Sequence, residues 1–408
     1  MASVIVVDNE LKDSVKEYAQ IIDGLNQNQE FSESLTPLLG DDEQIKDGKL
    51  LIEKIYEVSS NSTLSKLSDR EFEPTFYLLI HILSELSGES ISVLDDENSP
   101  IIKLLLELNP QRQPLLRDRK SVKSTTILSV LTNIFNLIPE TSTRRIFIIN
   151  QILSIVKNAN LEFNLIEENI GNNLINWLTK AQASESDIKS IFWNFISLDS
   201  EYSLKSLQFI KSFTLQFPLS IQELHNLIKF ALSSPIVDVS FLITNNVAQA
   251  LHANAQDSLA LIFNKFVQGE LVKLSESIED LSIELINEKS RILALAKFFS
   301  EKSQLPDHDS IVFKYDEIPS ELISNVEDFE LLLVNSIKAN VIEGKLNQLE
   351  STFYLTRVNR FVIAGNEQTN TSNWNEVRQV LYEWKNSLTN INEIVKSTRE
   401  NIVNNGSA

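Results

Sequence analysis

The sequence predicts a mainly α-helical chain, with a helical-repeat solenoid followed by a winged helix and a long C-terminal helix. Three observations carry that expectation. Apolar residues recur at helical spacing, segment after segment, from about Ser121 to Leu274. After Glu288 the order changes to helix, short strand, two helices and a β-hairpin. The last stretch carries a seven-residue apolar repeat. Nine glycines in 408 residues, against an average usage of roughly 7%, leave too few turn formers for an all-β chain.

The first 120 residues form a helical segment with acidic, turn-rich loops at Gly40 to Gly48 and Ser87 to Pro100, around helices at Leu50 to Val58 and Phe72 to Leu86. Asn109 to Lys123, with two prolines and five basic residues, reads as a linker or exposed loop. The helical repeats then begin. Ile127, Leu131 and Ile134 share a face that stops at Pro139, and Ile149, Ile152, Leu153 and Val156 share the next. Ile166, Ile170, Leu174, Trp177 and Leu178 make one further segment; Ile188, Ile191, Phe192 and Phe195 follow Asp187; Leu207, Ile210, Phe213 and Phe217 precede Pro218. Ser220 and Glu223 form a capping box that opens a helix carrying Leu224, Leu227, Ile228 and Ala231 before Pro235. Each apolar stripe needs a neighbour to cover it, so adjacent helices should pack as antiparallel pairs of a curved solenoid. No strict sequence period accompanies them.

Beyond Glu288, Arg291 to Ser300 reads as a helix and Ile311 to Phe313 as a short strand. Pro319 is expected to start a second helix, and Phe329, Leu332, Leu333 and Ile337 to face one side of a third that runs to about Val341. Ile342 to Leu349 and Phe353 to Val362 alternate as the strands of a hairpin, which completes a winged-helix order. Gly365 to Asn373 is a polar loop. From Trp374 to about Val403 two apolar series interleave, Trp374, Leu381, Leu388, Val395 and Ile402 with Val377, Trp384 and Ile391, as in a coiled-coil seam.

Composition excludes whole classes of function. A formal charge of -20 repels phosphate backbones and anionic lipids, so any nucleic-acid contact is local. The absence of cysteine removes disulfides, thiolate metal sites and a cysteine nucleophile, and fits a reducing compartment. No basic leader followed by an apolar stretch opens the chain, and no apolar run reaches membrane-spanning length, so a cytoplasmic protein is expected, with no glycan on the sequons at Asn61, Asn370 and Asn405. His81, His225, His252 and His308 lie far apart and show no ligand spacing. No phosphate loop, nucleophile elbow or metalloprotease motif is present, so neither catalysis, metal nor cofactor is expected.

A helical solenoid ending in a winged helix, with Ile342-Glu343-Gly344-Lys345-Leu346-Asn347-Gln348 entering the hairpin, resembles the PCI-domain family shared by the proteasome lid, the signalosome and initiation factor 3. Lys289 to Ala296 is similar to the family's helix at the start of the winged helix. On that resemblance the PCI domain spans about 205–366, with its winged helix from about 289, helical repeats at 121–204 and a C-terminal assembly helix at 374–403. Within the family, Trp374-Asn-Glu-Val-Arg-Gln-Val-Leu-Tyr-Glu-Trp384-Lys385-Asn-Ser-Leu388 resembles the tail of the subunit M group of eukaryotic translation initiation factor 3. The resemblance covers roughly residues 120 to 400 and lapses in the first hundred, with an apparent insertion between about Phe241 and Ser290.

The resemblance implies a non-catalytic scaffold subunit that supports assembly of initiation factor 3 on the small ribosomal subunit and mRNA recruitment. Its partners would be other initiation factor 3 subunits and the small ribosomal subunit, through winged-helix sheet contacts and a bundle of C-terminal helices. A scaffold of the signalosome or proteasome lid shares the same architecture, and the tryptophan-paired tail favours initiation factor 3. The assembly contacts would be Trp374, Val377, Leu381, Trp384, Lys385, Leu388, Ile391 and Val395. Apolar helical stripes are usually core, so the two tryptophans could instead cap the chain's own solenoid; the polar loop before them favours a projecting helix. On the wing, Lys345, Arg357 and Arg360 are candidate RNA contacts, as is the cluster Arg112, Arg117, Arg119, Lys120 and Lys123; solvated charge is the commoner meaning of such runs. The third helix, Val326 to Val341, sets Lys338 against Glu327, Asp328 and Glu330, which opposes a DNA-reading role.

Overall fold

The computed structural model describes residues 10–39, 47–88, 94, 99–110, 121–274, 281–303, 312–359 and 367–405. The chain is mainly helical, and it divides into two compact units, Met1–Ser200 and Glu201–Ala408.

In the first unit α1 (Leu11–Asn26) packs on α2 (Glu30–Leu35) and α4 (Asn61–Leu64), and α1 and α3 (Gly48–Val58) pack on α5 (Asp69–Ser87). Local chemistry sets their boundaries. Ser68 and Glu71 close a capping box on α5, and the Asp23 carboxylate of α1 accepts from the backbone N–H of Phe31 and Ser32 at the start of α2 (3.1 and 3.0 Å). Next come α6 (Pro100–Glu107), α7 (Ser124–Leu137), α8 (Arg144–Asn158), α9 (Asn164–Gly171), α10 (Leu174–Lys180) and α11 (Glu185–Ile196). The stripes expected from the sequence, Ile127, Leu131 and Ile134 on α7 and Ile149, Ile152, Leu153 and Val156 on α8, are buried, and α7 packs on α5 and α8. The segment from Ile166 to Leu178 is two helices rather than one, broken at Asn172 and Asn173. The turn before α8 is fixed by Arg145, whose guanidinium donates twice to the Ile138 carbonyl (3.0 and 2.7 Å) over the Phe135 ring.

The second unit opens with α12 (Leu204–Gln216), α13 (Ile221–Ser233), α14 (Asn245–Ala253) and α15 (Ser258–Val267). Long α16 (Ile283–Lys302) packs on α13 and α15, and then carries β1 (Val312–Lys314), α17 (Val326–Lys338), β2 (Ile342–Asn347) and β3 (Thr352–Val358). The three strands form one antiparallel sheet in the order β1-β3-β2. Phe299, Phe313 and Phe353 meet between helix and sheet, with ring centroids 4.7 and 5.4 Å from Phe299. Finally α18 (Glu367–Asn405) runs for 39 residues, roughly 58 Å at 1.5 Å per residue.

Three expectations need correction. Pro319 starts no second helix: Tyr315–Glu317 is a 3-10 turn and Leu322 closes one further turn onto the Pro319 carbonyl. Arg291 of α16 holds that turn, donating to the Leu322 carbonyl (3.0 and 2.8 Å) and to Asp328 (2.6 Å), so the segment is anchored by a side chain and not by a helical ladder. Ile337 is 38% exposed, because the inward position of α17 belongs to Ser336, whose hydroxyl donates to the Leu332 carbonyl at 2.7 Å. Residues 367–373 of the expected polar loop already belong to α18, whereas Gly365 and Asn366 lie outside the described residues, as does Ile311 of the expected strand.

Candidate partner-docking surface

A helix of a folded domain normally turns its apolar stripe inward. On α18 the stripe faces solvent. Trp374 and Trp384 are each 64% exposed, and Val377, Leu381, Leu388, Ile391 and Val395 are exposed with them, as are Tyr382 and Ile394. The spacing of 3.5 residues keeps the seam on one side of the helix over its length. Lys385, one turn after Leu381, is exposed at the edge of the seam. A contiguous apolar stripe of that length has the composition of a protein interface, with aromatic anchors near its centre.

The wing is a second exposed feature. Arg357 on β3 faces Glu343 on β2, and its guanidinium bonds that carboxylate at 2.7 Å and the Asn340 side chain at 3.0 Å. Its charge is therefore matched within the sheet. Lys345 is exposed, and Arg360 lies outside the described residues. Two of the three acids of α17 are also engaged. Glu330 accepts from Tyr315 (3.1 Å) and Gln348 (2.7 Å), and burial followed by that carboxylate pushes the Tyr315 phenol up to about 12. Burial raises the Asp328 carboxyl, but the Ser324 N–H and Arg291 outweigh it and hold the group below its usual range. The outer face of α17 shows Val326, Leu331, Val334 and Ile337 to solvent, which the sequence reading missed because it assigned Ile337 to the core.

Of the basic cluster, Lys123 is tied to Asp69 (3.3 Å), and Arg112, Arg117, Arg119 and Lys120 fall outside the described residues. His225 bonds Asp257 (3.0 Å), the residue that caps α15 through the Ala260 N–H; His81 is half-buried in α5, His252 is exposed on α14, and His308 lies outside the described residues. Among the described residues no group of three His, Asp or Glu side chains could hold a metal ion, and no helix is long and apolar enough to cross a membrane. A cavity of about 240 Å³ in the first unit, between Leu128, Phe135, Ile149, Ile152, Leu165 and Trp177, has no ionisable side chain in its lining.

No family model matches the chain. The chain is similar to proteins called eukaryotic translation initiation factor 3 subunit M. That of Aspergillus fumigatus is 23% identical over 438 aligned residues, covering 98% of this chain and 87% of the relative. That of Phaeosphaeria nodorum is 23% identical, covering 98% and 89%, and that of Emericella nidulans is 21% identical, covering 100% and 92%. These alignments span the first hundred residues as well as the tail.

Proposed function

We propose that the chain is a non-catalytic scaffold subunit of cytoplasmic translation initiation factor 3, of the subunit M type. In that reading it supports assembly of the factor on the small ribosomal subunit and recruitment of mRNA. One observation carries the scaffold role: the solvent-facing seam of α18, with Trp384 and Leu388 at its middle, is built to be covered. The names of the relatives supply the complex, and they favour initiation factor 3 over the signalosome and the proteasome lid. The sheet order β1-β3-β2 beside α16 and α17 supports a winged helix as the end of a PCI domain at about 205–366, preceded by helical repeats as its solenoid. Any contact with ribosomal RNA falls to Lys345 more than to Arg357, whose guanidinium is already paired with Glu343.

The experiment compares wild type with the double variant Trp384→Ala, Leu388→Ala. Both side chains are exposed, so the isolated variant should melt within about 1 °C of wild type, while recovery with initiation factor 3 from the native source should fall at least tenfold. A variant that unfolds on its own would place the seam in the chain's own core. A variant that folds and co-purifies at full yield removes α18 as the assembly contact.

A further inference from the structure

The seam of α18 has two unlike edges. With Trp374, Leu381, Leu388 and Val395 in heptad position a and Val377, Trp384 and Ile391 in d, position e holds Arg378, Lys385, Asn392 and Arg399. The opposite edge, position g, holds Asn373, Val380, Ser387, Ile394 and Asn401. In a chain of net charge -20, three cations thus line one edge of an exposed apolar seam.

None of these cations has an acid three or four residues away on its own helix. The residues three and four away from Arg378 are Trp374, Asn375, Leu381 and Tyr382; those around Lys385 are Leu381, Tyr382, Leu388 and Thr389; those around Arg399 are Val395, Lys396, Ile402 and Val403. None is acidic. A surface helix normally satisfies its cations with carboxylates at this spacing, and the acids of α18 from Trp374 onward, Glu376, Glu383, Glu393 and Glu400, take heptad positions c and f instead, away from that edge. Among the described residues no carboxylate lies within 4.0 Å of Arg378, Lys385 or Arg399; Arg378 leans over the Tyr382 ring at 5.9 Å.

A second copy of the helix cannot supply the missing charge. In a parallel pair each e residue meets the g residue of the partner's preceding heptad, which sets Arg378 against Asn373, Lys385 against Val380 and Arg399 against Ile394, none of them acidic. In an antiparallel pair e meets e, and cation would face cation. Phosphate could match the charge but not the tryptophan and leucine seam beside it.

Resting on the docking role proposed above, we propose that the Arg378, Lys385 and Arg399 edge selects a different protein, whose helix carries carboxylates along the edge that meets position e. The edge then decides which apolar helix is accepted, and the seam supplies the affinity. Charge at flanking positions sets partner choice in this way more than it sets overall strength.

The test uses the full chain and two labelled synthetic helices of the length of α18, both with Leu at a and d, one with Glu and one with Lys at e and g. Titrated by fluorescence anisotropy at low salt, wild type should bind the Glu helix about tenfold more tightly than the Lys helix, a difference of about 1.4 kcal/mol. The triple variant Arg378→Glu, Lys385→Glu, Arg399→Glu should reverse that preference. Equal binding of both helices, lost in Trp384→Ala, Leu388→Ala, would overturn the selection by charge and leave the docking role standing. Failure to bind the Glu helix at all also overturns the selection; the docking role is judged separately, by recovery with initiation factor 3. Two further results would count against it: a stable homodimer that the double alanine variant dissociates, and saturable binding of a single-stranded oligouridylate that the triple variant abolishes.

Discussion

At Gly344 the bulge between Glu343 and Gly344 turns the backbone of β2 so that a Cβ there would enter the Phe353 ring and the Tyr354 carbonyl oxygen. Phe353 is fixed against Phe299, so the ring has little freedom to withdraw. Gly344→Ala should therefore overpack the hairpin and lower stability by about 3 kcal/mol, read as a shift of the denaturant midpoint; an unchanged midpoint would mean the sheet absorbs a methyl group freely. Lys289 is the other residue whose setting makes a firm demand. It is 2% exposed and donates to the carbonyls of Leu232 (2.9 Å) and Ser234 at the end of α13, and burial lowers its ammonium to about 8. Because the folded pKa lies below the unfolded value of 10.5, the unfolded chain holds the extra proton between pH 8 and 10.5, and stability rises with pH across that window. Wild type should gain about 1 to 2 kcal/mol between pH 8 and pH 9.5, below the midpoint of tyrosine titration, and Lys289→Met should show no such gain. Parallel pH profiles for the two proteins would rule out Lys289 as the source.

The helices whose ends carry their own chemistry are the ones the sequence located well. The capping box of α13 closes as expected, Ser220 N–H donating to Glu223 (2.7 Å) and Glu223 N–H to Ser220 (3.4 Å), and Ser220→Ala should cost about 1 kcal/mol in thermal or chemical unfolding. The stripes of α7, α8 and α13 were readable for a different reason, since each is a run of large apolar residues at one spacing. What failed was whatever a distant residue decides. The turn at Pro319–Ser324 is held by Arg291, thirty-one residues before Leu322, so no local pattern could distinguish it from a short helix. Arg291→Ala should loosen that turn and cost about 2 kcal/mol, less than for a fully buried pair because the side chain is 30% exposed; an effect below 0.5 kcal/mol would show that the turn stands without it. On α17, hydrophobicity alone made Ile337 look inward, whereas the serine beside it satisfies its hydroxyl within the helix and packs more closely. The seam of α18 was readable from heptads, but the expectation that it projects rested on the polar loop before it, because periodicity shows that a stripe exists and not what covers it.

For the whole molecule the governing quantity is the charge of -20. Like charges confined to a compact chain repel one another, and the repulsion relaxes on unfolding, so the folded state carries an electrostatic penalty that salt reduces. The opposing effect is the loss of ion pairs. Those of Lys16 with Asp13 and Lys180 with Glu140 are largely exposed, and that of Lys189 with Glu185 lies within one helical turn with its carboxylate exposed, so each is worth little, while Arg291 with Asp328 is only partly exposed and less open to screening. The diffuse repulsion should therefore win. Raising sodium chloride from about 20 mM to about 300 mM, which shortens the screening length from about 20 Å to below 10 Å, should raise the melting temperature of the isolated chain by about 2 to 5 °C. Over the same range binding of the Glu helix to α18 should weaken, because that contact places opposite charges together. Scanning calorimetry and anisotropy on one preparation would follow both. A melting temperature that falls with salt would mean that specific ion pairs, and not the net charge, dominate the electrostatics of the fold.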